Sequence, residues 1–88
     1  KTLLLHCRRL EAEYEGNLYP LSERQTEFLR GLIDGNGAWI LGKQLRSHGD
    51  ERLDKVKKAL PGPLQVLIES QTRKGYRLTV PTALAVDD

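Results

Sequence analysis

The run Arg73-Lys74-Gly75-Tyr76-Arg77-Leu78 places three cations within five residues, directly after the hydroxyl of Thr72. At the tip of a two-stranded hairpin, Arg73 and Lys74 can reach phosphates or a minor groove, where negative potential favours inserted arginine. Gly75 would let such a turn bend tightly. A solvated turn with incidental charge is the plainer alternative. Arg77 suits either a backbone phosphate or the outer face of a sheet, and Tyr76, following the turn on a strand, reads as a core-packing aromatic. A second basic set lies upstream. Lys55 and Lys58 project opposite the apolar positions Leu53, Val56 and Leu60, with Arg52 and Lys57 on the flanks. A helix carrying them can offer lysines to guanine edges or phosphates in a major groove. Glu51 and Asp54 share that face and read as i,i+4 partners of Lys55 and Lys58, or as acceptors from cytosine amino groups. Lys43 and Arg46, earlier still, would at most contact backbone phosphates.

The remaining reactive side chains point away from catalysis. His6 and Cys7 are adjacent, so on a strand they face opposite ways and cannot chelate together or form a thiolate–imidazole pair. Glu11, Glu13 and Glu15 share a strand face and read as a solvated edge that discourages aggregation. His48 lies in a loop between helices, and Trp39, in a short apolar link, reads as a core anchor. No nucleophile–base pair, phosphate-cradling glycine loop or metal-ligand spacing is visible, so neither an enzyme nor a cofactor is expected.

The elements that must position the cations fit one domain. With 88 residues, two halves would each be too small to bury a core. The content is 39% hydrophobic and 30% charged, as in ordinary globular domains. No apolar run approaches the roughly 20 residues that span a bilayer, so a membrane partner is not expected. A lone cysteine leaves no internal disulfide and fits a reducing, cytoplasmic setting. The net charge of +2 conceals an asymmetry: residues 43–80 hold nine basic and four acidic side chains, and residues 1–42 hold five and six. Such a bias suits a polyanion partner. The start at Lys1, without any Met, suggests a processed chain or a domain of a larger protein, and residues 1–10 do not read as a signal peptide.

Alternation of apolar and acidic residues over 10–15 predicts a half-buried strand. Gly16-Asn17 reads as the turn into a return strand at Leu18 and Tyr19 that Pro20 stops, and residues 2–7 read as a further strand, although Leu3, Cys7, Leu10 and Tyr14 also satisfy a helical spacing. Ser22-x-x-Gln25 is a capping box opening a helix with the stripe Phe28, Leu29, Leu32, Ile33, closed by Gly35-Asn36-Gly37. Residues 38–40 form a strand-like link and residues 42–47 a short second helix. Asp50 caps a third helix that Pro61-Gly62-Pro63 terminates. Val66, Leu67 and Ile68 read as a buried strand, with an extra helical turn at 64–67 as an alternative. Residues 76–80 return as its partner, and residues 82–88 have too little pattern to be more than a tail.

Laid out this way, the chain resembles the winged-helix effector domain of the OmpR/PhoB type of response regulators. The resemblance is carried by Leu67-Ile68-Glu69-Ser70-Gln71-Thr72-Arg73-Lys74-Gly75-Tyr76-Arg77-Leu78, by the hairpin and helix start over residues 16–22, and by the helix and link over 22–45. It departs at Leu41, where the family has a polar cap, at the start of the third helix, and at Pro61-Gly62-Pro63. The resemblance implies an α+β winged helix-turn-helix over residues 1–81: three helices, an N-terminal sheet or hairpin and a C-terminal hairpin wing. It further implies a transcriptional regulator binding double-stranded DNA through Arg73, Lys74, Lys55, Lys58, Arg52, Arg77, Thr72, Arg46 and Lys43. A homodimer, or a sensory or receiver domain attached in a larger parent, would accompany that role. Two alternatives stay open, a winged-helix module for protein interaction or dimerisation and a structured-RNA binder.

Overall fold

Leucines at alternate positions start the fold, because a strand sends residues i and i+2 to one face. Leu3 and Leu5 are fully buried on β1 (Leu3–His6), and Ala12 is fully buried on β2 (Glu11–Tyr14). The computed structural model describes residues 1–45 and 53–85, with only the backbone at 43 and 44. β1 and β2 pair antiparallel with Leu5 opposite Ala12, and β2 continues into β3 (Asn17–Pro20). The turn between β2 and β3 is Glu15-Gly16, one residue before the expected Gly16-Asn17. Both residues adopt the left-handed region, with φ of 52° and 82°, as a two-residue hairpin turn requires. Asn17 pairs with Tyr14, and the strand runs through Pro20, whose missing donor is tolerated at a sheet edge.

The capping box forms as the sequence predicts. The Gln25 amide donates to Ser22 Oγ at 3.1 Å, and the Ser22 amide donates to Gln25 Oε1 at 2.8 Å, opening α1 (Glu23–Asp34). Its buried face carries Phe28, Leu29 and Leu32, with Ile33 half-buried beside them. Gly35 itself stays right-handed. The chain reverses at Asn36 and Gly37, with φ of 53° and 87°. After the link come α2 (Gly42–Leu45) and α3 (Leu53–Ala59), which bury Leu45 and Leu53.

Pro61-Gly62-Pro63 does more than end α3. It opens a fourth helix, α4 (Gly62–Gln65), because proline is well suited to a first helical turn. Among the described residues the helices number four rather than the expected three, and the extra turn was the open alternative. Gln65 Nε2 donates to the carbonyls of Lys58 at 2.8 Å and Leu60 at 2.7 Å, satisfying acceptors left free where α3 ends. Val66, expected to be buried in a strand, follows this turn and is 78% exposed. Leu64, Leu67 and Ile68 are buried.

β4 (Ile68–Gln71) and β5 (Gly75–Leu78) form the terminal hairpin, with Glu69 opposite Arg77 and Ser70 opposite Tyr76. The chain then returns to the first sheet. Residues 82–84, read as tail, are β6 (Thr82–Leu84), paired parallel with β1 through Leu3–Thr82 and Leu5–Leu84. Three residues are too few to show a period, so this strand was not legible locally. The result is an α+β fold with a four-stranded sheet of order β3-β2-β1-β6, the helices, and a separate two-stranded hairpin. β2 is therefore interior. The expected glutamate face does not guard an edge: Glu13 faces buried His6 at 3.8 Å, and Glu15, in the turn after β2, lies 3.6 Å from Lys1. Among the described residues, no helix is long and apolar enough to cross a membrane.

Candidate nucleic-acid interface

The terminal hairpin turns at Thr72-Arg73-Lys74, closed by the Lys74 amide donating to the Gln71 carbonyl at 3.2 Å. Arg73 adopts φ of 74° and Gly75 φ of 99°. For arginine the left-handed region costs roughly 1–2 kcal/mol. Gly75 has a further constraint, because a Cβ there would collide with the carbonyl oxygen of Ile40. That close approach belongs to a bridge in which the Ile40 and Tyr76 amides donate to each other's carbonyls at 2.8 and 2.9 Å. The link after α1 thereby joins the hairpin through a single isolated bridge. Tyr76 also meets Phe28 of α1 edge-to-face, with centroids 5.4 Å apart, which gives it the packing role its position predicts.

Trp39 departs from expectation. It is half-buried, and the contacts at its ring are cationic: Arg77 Cζ lies 4.8 Å and Lys74 Nζ 5.6 Å from the ring centroid. Arg77 also donates from Nε to Glu69 Oε1 at 2.6 Å, its cross-strand neighbour. The expected contact residues of the hairpin thus divide. Arg77 has two intramolecular partners, Lys74 leans on Trp39, and Thr72 and Arg73 stand exposed at the tip. A local reading of charge could not separate them, since Trp39 lies more than thirty residues earlier.

On α3, Lys55 and Lys58 are exposed while Leu53 and Leu60 are buried and Val56 half-buried, as the spacing predicts. The α3 lysine seen to reach the hairpin is a different one. Lys57, half-buried on the flank, donates from Nζ to Ser70 Oγ at 3.5 Å. Arg46 and Arg52 lie outside the described residues, as do His48, the expected cap Asp50, and Glu51; Lys43 is placed on α2 by its backbone alone. An open cleft of about 410 Å³ is lined by Leu41, Gly42, Ser70, Thr72, Arg73 and Tyr76, among others.

The residues with other reactive chemistry sit apart from this surface. His6 is buried in the sheet, and Cys7 is half-buried beside Arg30, whose Nη1 donates to the thiol sulfur at 3.8 Å. The sulfur, and then Asp34, hold the Arg30 guanidinium more firmly in its charged form. Among the described residues, no three His, Cys, Asp or Glu side chains come together as a metal-holding group. Comparison with protein-family models, with curated proteins and with solved structures gives no match.

Proposed function

We propose that this chain is a winged helix-turn-helix domain that binds duplex DNA, acting in the cytoplasm as part of a transcription regulator. The third helix would lie in the major groove, offering Lys55 and Lys58, and the hairpin would serve as the wing on the flanking backbone or minor groove. The single observation that carries this reading is the tip itself. Arg73 stands exposed in a conformation that glycine or asparagine would adopt more cheaply, on a turn followed by Tyr76, whose amide donates to the Ile40 carbonyl past the bare Gly75. Lys74 extends from the same turn, and α3 adds lysines to the basic half of the chain.

A salt-titrated gel shift with duplex DNA tests it. Affinity should fall steeply with salt, and Arg73→Ala combined with Lys74→Ala should flatten the log–log slope by about 1.8, two lost phosphate contacts at ~0.9 each. No binding at low salt would sink the function; an unchanged slope in the double variant would sink the wing assignment. A protein-docking role has its own support in the exposed edge of β3, where Leu18 is 54% exposed. Light scattering would favour that role if a dimer forms without DNA and survives loss of Arg73 and Lys74.

A further inference from the structure

We infer that the cleft between the terminal hairpin and residues 41–42 is a seat for one phosphate group, completed on the α3 side by Lys57. In naming a DNA diester as its occupant, the inference rests on the duplex-binding reading; the seat's chemistry stands apart from it. Beside Leu41, Gly42 and Tyr76, the cleft is lined by residues that carry donors, Ser70, Thr72 and Arg73. No carboxylate is among the described residues that line it. The nearest acid along the strand, Glu69, precedes Ser70 and so faces the opposite side, where it is held by Arg77.

Lys57 supplies the second charge. Its ammonium has three donors, and one of them reaches Ser70 Oγ at 3.5 Å, a long contact to a neutral acceptor. A phosphate oxygen beside Ser70 would give the remaining donors a charge-assisted partner, which is stronger than the hydroxyl. Arg73 would close the same anion from the tip. An arginine and a lysine on two different elements, with two hydroxyls between them, form an arrangement that recognises a tetrahedral anion. The outward lysines Lys55 and Lys58 are exposed. The occupant is a phosphate group, either a DNA backbone diester or a free phosphate.

Amide NMR on the full chain, titrated separately with inorganic phosphate and with a mixed-sequence DNA duplex against sodium chloride at matched ionic strength, tests the seat. Phosphate should give saturable shifts concentrated at Gly42, Ser70, Thr72 and Arg73 that disappear in Lys57→Gln and return in Lys57→Arg. For the duplex, Lys57→Gln should flatten the log–log salt slope by about 0.9, while Lys57→Arg keeps it. Dependence on Lys57 in either arm supports the seat and identifies which phosphate fills it. If neither probe depends on Lys57, the seat falls, and duplex binding with an unchanged slope leaves the DNA reading standing. If inorganic phosphate saturates at these amides while the duplex does not bind, the DNA reading falls and the seat remains.

Discussion

The two hairpins of this chain use similar turn chemistry for different ends. In the first, Glu15 and Gly16 take positive φ between β2 and β3; in the second, Arg73 and Gly75 do so between β4 and β5. A Cβ on Gly16 would meet open space, whereas one on Gly75 would strike the Ile40 carbonyl. The first turn is thus a local device that reverses a strand within a four-stranded sheet. The second is also a joint, fixing an outlying hairpin to the link between α1 and α2. Side chains follow the same division. Glu13 and Glu15 point back to His6 and Lys1 within the sheet region, while Thr72 and Arg73 point out from a tip steadied by Trp39 and Ile40.

Substitutions can break that contrast, starting with the largest effect. Gly75→Ala should cost upwards of about 3 kcal/mol in denaturant unfolding, because backbone strain and a backbone collision add. Trp39→Ala should cost about 1–2 kcal/mol through two lost cation–π contacts, with faster amide exchange at Tyr76 than at Tyr14. Gly16→Ala, which meets only the φ penalty, should cost about 1 kcal/mol. If it equals Gly75→Ala, the joint is not what distinguishes the hairpins. Glu69→Gln removes a half-exposed cross-strand pair and should cost about 0.2–1 kcal/mol, while releasing Arg77 and tightening DNA binding. The smallest change is a gain: Arg73→Gly should raise stability by up to about 1 kcal/mol and weaken DNA binding, separating the turn's conformational need from its charge.

Much of the fold was legible locally. The box from Ser22 to Gln25, the stripe of α1, the inward face of α3 and the strand pairing around Gly75 all depend on residues a few positions apart, whose spacing decides which face they share. Turn detail was less legible, as the one-residue shift to Glu15-Gly16 shows, since several neighbours tolerate positive φ. The exposed tip residues Thr72 and Arg73 were recognisable by type. Lys74 looked equivalent to Arg73 but rests on Trp39, and Arg77, which suited either a phosphate or the outer sheet face, is held by Glu69 and Trp39.

By itself, then, the sequence determined the α+β class, the order of elements from β1 to α3, the N-cap of α1, the apolar faces of α1 and α3 and the basic character of the second half. Tertiary structure decided which of those features meet. It turned residues 82–84 into a strand beside β1, made β2 interior, set Trp39 against two cations rather than in the core, and brought Lys57 rather than Lys55 or Lys58 to the hairpin. The reason is physical: caps and periodicity come from bonds and angles along the chain, while partners far apart in sequence are chosen only when the backbone has closed and burial, charge and close approach are settled together.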